Sequence, residues 1–170
     1  METQDSIIDI NAEFQNEDTL ADRYLTFRLG NEEYALEIRY VIEILGIQKI
    51  TEVPNIPKFI KGIINLRGMI HPVIDVRKRF GLKPEEYDER TCIIVIRFDN
   101  SASIGLIVDE VSEVVTIRKE QISPPPQTKK GSQSKYISGI GRMEEGVKFI
   151  LDIDKLLYLN YRSGNVSEKE

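Results

Sequence analysis

The chain has 170 residues, 41% of them hydrophobic and 30% charged, with a formal net charge of −5, a length that fits one domain or two small halves sharing a core. No apolar run approaches the ~18 residues of a membrane-spanning helix, the N-terminus lacks the basic-then-apolar order of a secretory signal, and the single cysteine, Cys92, rules out an internal disulfide, so a reducing cytoplasmic setting is expected. Residues 1–22 hold seven acids and no Lys or Arg, so they carry −7 and leave +2 for the rest, a balance that argues against binding driven by phosphate contacts.

In chain order, residues 1–22 are expected to form a disordered acidic tail. "RYLTFRL" then alternates with period two, "GNEE" supplies a turn, and "YALEI" resumes the strand. "YVIEILGI" is a further strand by its β-branched residues, and "IPKFIKGI" has the form of a single helical turn started by Pro57. "GIINLRGMIHPVID" (Gly62–Asp75) reads as strand, kink and strand, with Arg67 and Gly68 at the tip. Pro72 has no N–H to give a ladder, so its strand is expected at an edge or a bulge. "DVRKRFGL" suggests a short helix with Asp75 as N-cap, and the basic run Arg77–Lys83 reads as a solvated turn. "TCIIVIRF", "DNSAS" and "IGLIVDEV" make a second hairpin with Asp99-Asn100 in its turn. "VSEVVTI" is another strand, "SPPPQTKKGSQSK" a flexible surface connection, and "DIDKLLYLN" a second short helix ahead of a C-terminal tail at 161–170. The class is therefore mostly β with small helices.

The sequence repeats itself. Tyr34–Ile47 aligns with Ile104–Ile117 at an offset of 70, matching Leu36 with Leu106, Val41 with Val111, Glu43 with Glu113 and Ile47 with Ile117. Phe59–Val76 aligns with Tyr136–Ile153 at an offset of 77, matching Gly62 with Gly139, Ile63 with Ile140 and Asp75 with Asp152. A duplication predicts two similar β units, each too small for a generous core alone, packed together and closed into small barrels that leave no sticky edges. The first is expected at about 23–85 and the second at about 90–160, with exchange of strands between them left open.

Catalytic chemistry is not legible. His71 has no second histidine and no cysteine at ligand spacing, so a metal site is not expected, and Cys92 lies in a buried-strand pattern. "GIGRMEEG" lacks the third glycine of a dinucleotide fingerprint and precedes a strand rather than a helix. Glu43, Asp75, Asp109 and Glu110 interrupt apolar runs and read as outward-facing strand residues. No catalytic, cofactor-binding or metal-binding residue is assigned. Arg67 stands apart: at the matching tip of the second copy the sequence has Glu144. A fold that tolerates opposite charges at one place does not need Arg67, whereas arginine is enriched at the energetic centres of protein interfaces.

The segments "YLTFRLGNEEYALEI", "VIEI", "FIKGIINLRGMIHPVIDVRKRFGL", "GLIVDEVSEV" and "YISGIGRMEEGVKFILDIDKLL", from about Arg23 to Leu159, together resemble the CheW-like family of chemotaxis coupling proteins. The resemblance implies a pair of five-stranded β-barrels on a shared hydrophobic core and no enzymatic activity. It implies an adaptor joining the cytoplasmic tips of methyl-accepting chemotaxis proteins to the regulatory domain of the histidine kinase CheA, in the cytoplasm at membrane-associated receptor arrays. By the same resemblance Arg67 of the "NLRG" run and Glu43 form a charged pair near the partner surfaces, Ile38 and Val41 lie along a receptor groove, and Lys61 and Ile70 face the kinase. Asn65, Leu66 and Gly68 complete the expected partner-binding motif. The acidic tail is outside the family pattern. The rival reading is a small-barrel nucleic-acid-binding protein using Arg77, Lys78 and Arg79.

Overall fold

A computed structural model describes residues 20–99, 102–125 and 135–157. Residues 1–19 of the acidic tail, the C-terminal tail, Asn100 and most of the proline-flanked connection therefore lie outside the described residues. Leu20 packs on the core and the Asp22 carbonyl accepts from the Ile117 N–H at 2.8 Å, so the end of the expected tail belongs to the fold. The strands run β1 (Arg23–Leu29), β2 (Glu32–Glu37), β3 (Val41–Gly46), β4 (Ile60–Leu66), β5 (Met69–Asp75), β6 (Cys92–Arg97), β7 (Ser103–Val108), β8 (Glu110–Thr116), β9 (Ile122–Ser123), β10 (Ile137–Met143) and β11 (Gly146–Leu151). A five-residue helix, α1 (Val76–Phe80), follows β5, and a helical turn occupies 153–157. Both begin as read from sequence: Asp75 accepts from the Lys78 N–H at 3.3 Å and Asp152 from the Lys155 N–H at 3.0 Å.

Two sheets result, ordered β8-β1-β2-β11-β10-β9 and β3-β6-β7-β5-β4. We call them the terminal and the central barrel. Each is closed by the chain just past its outer strand. Thr51, after β3, exchanges two 2.9 Å backbone hydrogen bonds with Ile63 on β4. In the terminal barrel β9, after β8, pairs with Ile140 and Gly141 of β10. The strands are not shared out by a cut near residues 85–90. The hairpin β1–β2 joins the strands of the second copy, and β6–β7 joins those of the first. This is the exchanged arrangement.

The repeat accounts for the rest of the geometry. Replacing each strand by its counterpart in the other copy turns the order β3-β6-β7-β5-β4 into β8-β1-β2-β11-β10. The parallel contacts coincide too, Val73 with Gly105 in one barrel and Ile150 with Ala35 in the other. So do the bulges, between Ile60 and Gly62 and between Ile137 and Gly139.

Period-two alternation sorts the apolar side chains into three clusters. Leu25, Phe27 and Leu29 of β1 meet Ile94 and Ile96 of β6 and Leu106 and Val108 of β7 in the core between the barrels. The opposite faces fill the interiors: Leu45, Ile64, Val73, Ile93 and Val95 in the central barrel, and Tyr24, Ala35, Ile117 and Ile150 in the terminal one. Strands buried on both faces read as unbroken apolar runs, hence "CIIVI". Cys92 is buried in this shared core, where burial pushes its thiol above the usual range.

Three local expectations are corrected. Pro57 starts a turn closed by the Ile60 N–H on its carbonyl, but Ile60–Leu66 is strand, because its alternate residues are needed inside the barrel. The strand carrying Pro72 is internal, between β7 and β4. Ile63 directs its own backbone to Thr51, so the opposite Pro72 turns its nitrogen away from β4, towards β7, whose register begins only at Val73. The basic run is not a solvated turn either. Arg77 is buried, and Arg79 lies between the rings of Phe59 and Tyr136, 4.6 and 4.7 Å from their centroids.

Candidate functional site

The β4–β5 hairpin ends in a two-residue turn in which Arg67 has φ 52° and Gly68 φ 86°, the type I′ geometry that matches the twist of paired strands. Asn65 secures it by accepting from the Gly68 N–H at 2.9 Å. The left-handed conformation suits Gly68 and disfavours an arginine. From the tip, the Arg67 guanidinium reaches Glu43 on β3 with two contacts, of 2.6 and 3.4 Å. Glu43 follows the β3 bulge that separates the pairings of Val41 and Glu43 with β6, and such a bulge re-aims a side chain. The Arg67 side chain stays 76% exposed while that of Glu43 is 19% exposed. An exposed pair of this kind contributes only about 0–1 kcal/mol to stability.

Behind the pair lies the mouth of the central barrel, a cleft of about 320 Å³ lined by Ile42, Leu66, Met69 and Val95 and by the polar Glu43, Arg67, His71, Arg97 and Ser103. His71 points inward, its Nδ1 2.8 Å from the Ser103 hydroxyl. Met69 on the rim is 64% exposed, and its neighbour Ile70, on the opposite face of β5, is 57% exposed. Sequence reading passed over His71, Met69, Arg97 and Ser103 as site residues. The counterpart comparison that singled out Arg67 pairs His71 with Lys148 and, extended one residue before Tyr34, pairs Ser103 with Glu33, so it could have found these two.

The remaining expected residues divide. Asn65, Arg67, Gly68 and Ile70 gather on the exposed tip, and Leu66 is the buried root of the turn. Lys61 is apart, its ammonium 5.7 Å from the Tyr87 ring centroid. Ile38 and Val41 are 1% and 5% exposed, packed in the shared core. Asp75 and Asp109 are corrected from outward-facing. Asp75 is buried, capping α1 and accepting from the Tyr87 hydroxyl at 3.0 Å. Asp109 receives Arg77 at 2.8 and 2.6 Å and the Gly30 N–H at 2.8 Å, tying α1 to the β1–β2 turn of the other barrel. Burial pushes the Asp109 carboxyl up, but the hydrogen bonds from Arg77 and Gly30 and the Arg77 charge outweigh it and hold it below the usual range.

That clamp bears on the nucleic-acid reading. Arg77 is held by Asp109, by the Lys83 carbonyl at 2.6 Å and by Glu85 at 3.3 Å, and Arg79 is stacked, so of the three cations only Lys78 is free to face a phosphate. Among the described residues no three His, Cys, Asp or Glu side chains come together as a metal site.

Comparison with known proteins gives a family and a fold. The model of the CheW-like domain matches residues 23–160. The chain is similar to the chemotaxis protein CheW of Klebsiella aerogenes, 41% identical over 140 residues that make up 82% of this chain and 84% of that one. It is similar to CheW of Bacillus subtilis at 34% over 136 residues, 80% of this chain and 86% of that one. Among solved structures, the scaffolding protein TtCheW from Thermoanaerobacter tengcongensis superimposes with a TM-score of 0.70 at 37% identity, covering 76% of this chain and 88% of its own.

Proposed function

On the premise that the chain belongs to the CheW-like domain family, we propose that it is a non-enzymatic chemotaxis adaptor. It couples the cytoplasmic tips of methyl-accepting receptors to the regulatory domain of the histidine kinase CheA, in the cytoplasm at membrane-associated arrays. The observation that carries the reading is the Arg67 tip. A side chain held in an unfavourable backbone conformation, exposed, and contributing little to folding is one retained for recognition. Exposed Met69 and Ile70 beside it supply the apolar area that a docking surface needs. Asn65, Leu66 and Gly68 fix the turn, and Lys61 and Glu43 flank it. Ile38, just before β3, and Val41, its first residue, support the receptor-binding groove from beneath.

The mechanism is geometric. An adaptor with two faces holds receptor and kinase together at modest pairwise affinity, because assembly makes the later contacts intramolecular. A small change in docking then biases the kinase between its states. A pull-down of the purified chain with a receptor signalling tip and the kinase regulatory domain, separately and together, tests this. The wild-type chain is expected to retain both, and Arg67→Asp to lose one or both by at least about tenfold, the scale of an interface hot spot, with its melting temperature within a few degrees. Binding of wild type to neither partner overturns the adaptor reading.

A further inference from the structure

The internal repeat aligns the two barrel mouths, and there they differ in charge: besides Arg67 in place of Glu144, the central mouth has Ser103 where the terminal one has Glu33. In the terminal barrel Glu33 on β2 meets Lys148 on β11 at 2.9 Å, with Lys148 only 4% exposed. Arg28 stands opposite Glu33 in the β1–β2 register. The equivalent residues of the central barrel are Ser103, His71 and Arg97, again with Arg97 opposite Ser103 and with His71 hydrogen-bonded to Ser103. The coincident parallel registers make this an equivalence of position in space, not of sequence alone. One mouth is thus plugged by its own ion pair. In the other a hydroxymethyl group stands where the carboxylate side chain would be, and the cleft of about 320 Å³ opens.

The charges facing that cleft are few. Glu43 from β3 is engaged by Arg67 from the turn. Arg97 from β6 makes no ion pair among the described residues. His71 from β5 is the one further titratable group of the lining. The mouth therefore lacks the carboxylate that Glu33 supplies in its counterpart, with a guanidinium and an imidazole in place to receive one.

We propose that the mouth of the central barrel is a docking pocket for an acidic side chain of a partner protein, an aspartate or glutamate flanked by apolar residues. Its carboxylate takes the place that Glu33 holds in the terminal barrel, against Arg97 and His71. Exposed Met69 and the apolar lining residues Ile42, Leu66 and Val95 meet the flanking apolar residues, which is why the occupant is a protein segment rather than a soluble carboxylate. His71 occupies the place of Lys148 in the other mouth, and its ring can donate an N–H to the carboxylate. The pocket rests on the adaptor reading only for the identity of its partner.

His71 is the single histidine of the chain, so its ring NMR signals report on this pocket alone. The probe is a blocked peptide carrying one glutamate between leucines, compared with its glutamine counterpart. The glutamate peptide is expected to shift the His71 signals and to bind at least about tenfold more tightly than its glutamine counterpart, the scale of a hydrogen bond to a charged group. Arg97→Gln, at an exposed position, is expected to weaken binding several-fold. The double variant His71→Lys with Ser103→Glu rebuilds the plug that the terminal barrel already accommodates, and is expected to fold and to bind neither peptide. Equal responses to the two peptides, no response of His71 to either, or unchanged binding by the double variant overturns the proposal. A peptide response alongside a failed pull-down leaves the pocket standing and removes only the adaptor reading.

Discussion

At the scale of single residues, Arg67 and Asp109 show charges serving opposite ends. Arg67 sits at the first position of a type I′ turn, where asparagine and glycine are favoured. Arg67→Asn relieves an arginine held in the left-handed conformation and forfeits an exposed pair that adds little to stability. The melting temperature should hold or rise by a few degrees in a thermal scan, while partner binding falls; a clear loss of stability would make the pair structural. Asp109 is the reverse case, half-enclosed and shared by Arg77 and Gly30. Its carboxyl is depressed in the fold, so its stabilisation is full above the unfolded value of about 4 and is lost as pH falls through the lower folded value. Asp109→Asn should therefore cost about 2–4 kcal/mol at pH 7, since it strands the buried Arg77 charge. The gap from wild type should close in acid, as urea titrations at stepped pH would show. Sequence reading separated Arg67 from the fold because its counterpart is Glu144. It could not separate Asp109 from an ordinary strand acid, because the partner that buries it is 32 residues away in another element.

At the scale of elements, the legible features were those set by neighbours in the chain. Alternation marked the strands, and Asp75 and Asp152 marked the helix starts. Pro57 misled because a proline-led turn looks alike before a helix and before a strand; barrel closure by Thr51 decides between them, and it is a long-range contact. Gly62 carries that closure. A Cβ there would lie 2.3 Å from the Thr51 carbonyl oxygen, with φ at +157°. At the matching Gly139 bulge the nearest atoms are the Ile122 Cγ2 at 2.9 Å and the Ser123 carbonyl oxygen at 3.1 Å. Gly62→Ala must push backbone apart, so it should be the more damaging of the two, by about 2–3 kcal/mol or more on the scale of overpacked sites. Hydrogen exchange should then show lost protection at the Thr51 and Ile63 amides first. Equal protection in wild type and variant would mean that the barrel does not depend on this seam.

At the scale of the molecule, duplication was readable and exchange was not, because the repeat fixes which strands are alike without fixing which copy each one joins. Both arrangements would bury the same alternating residues. The exchanged one makes each barrel a joint product of both halves of the chain. A fragment holding β1 to β5 keeps the hairpins β1–β2 and β4–β5 but loses β6 beside β3, β7 beside β5, and β8 and β11 beside the first hairpin. The other fragment loses the matching neighbours. Lone hairpins are at best marginally stable in water, and each half would also bare its side of the shared core. Cutting between Glu85 and Glu86, in the connection from α1 to β6, should therefore yield two fragments with collapsed amide NMR spectra when separate. Mixed in equal amounts, they should recover the dispersed β spectrum and, with the Arg67 tip rebuilt, partner binding. A dispersed spectrum from either fragment alone would mean that the half-chain can close a barrel by itself, and that the exchange contributes nothing to its folding.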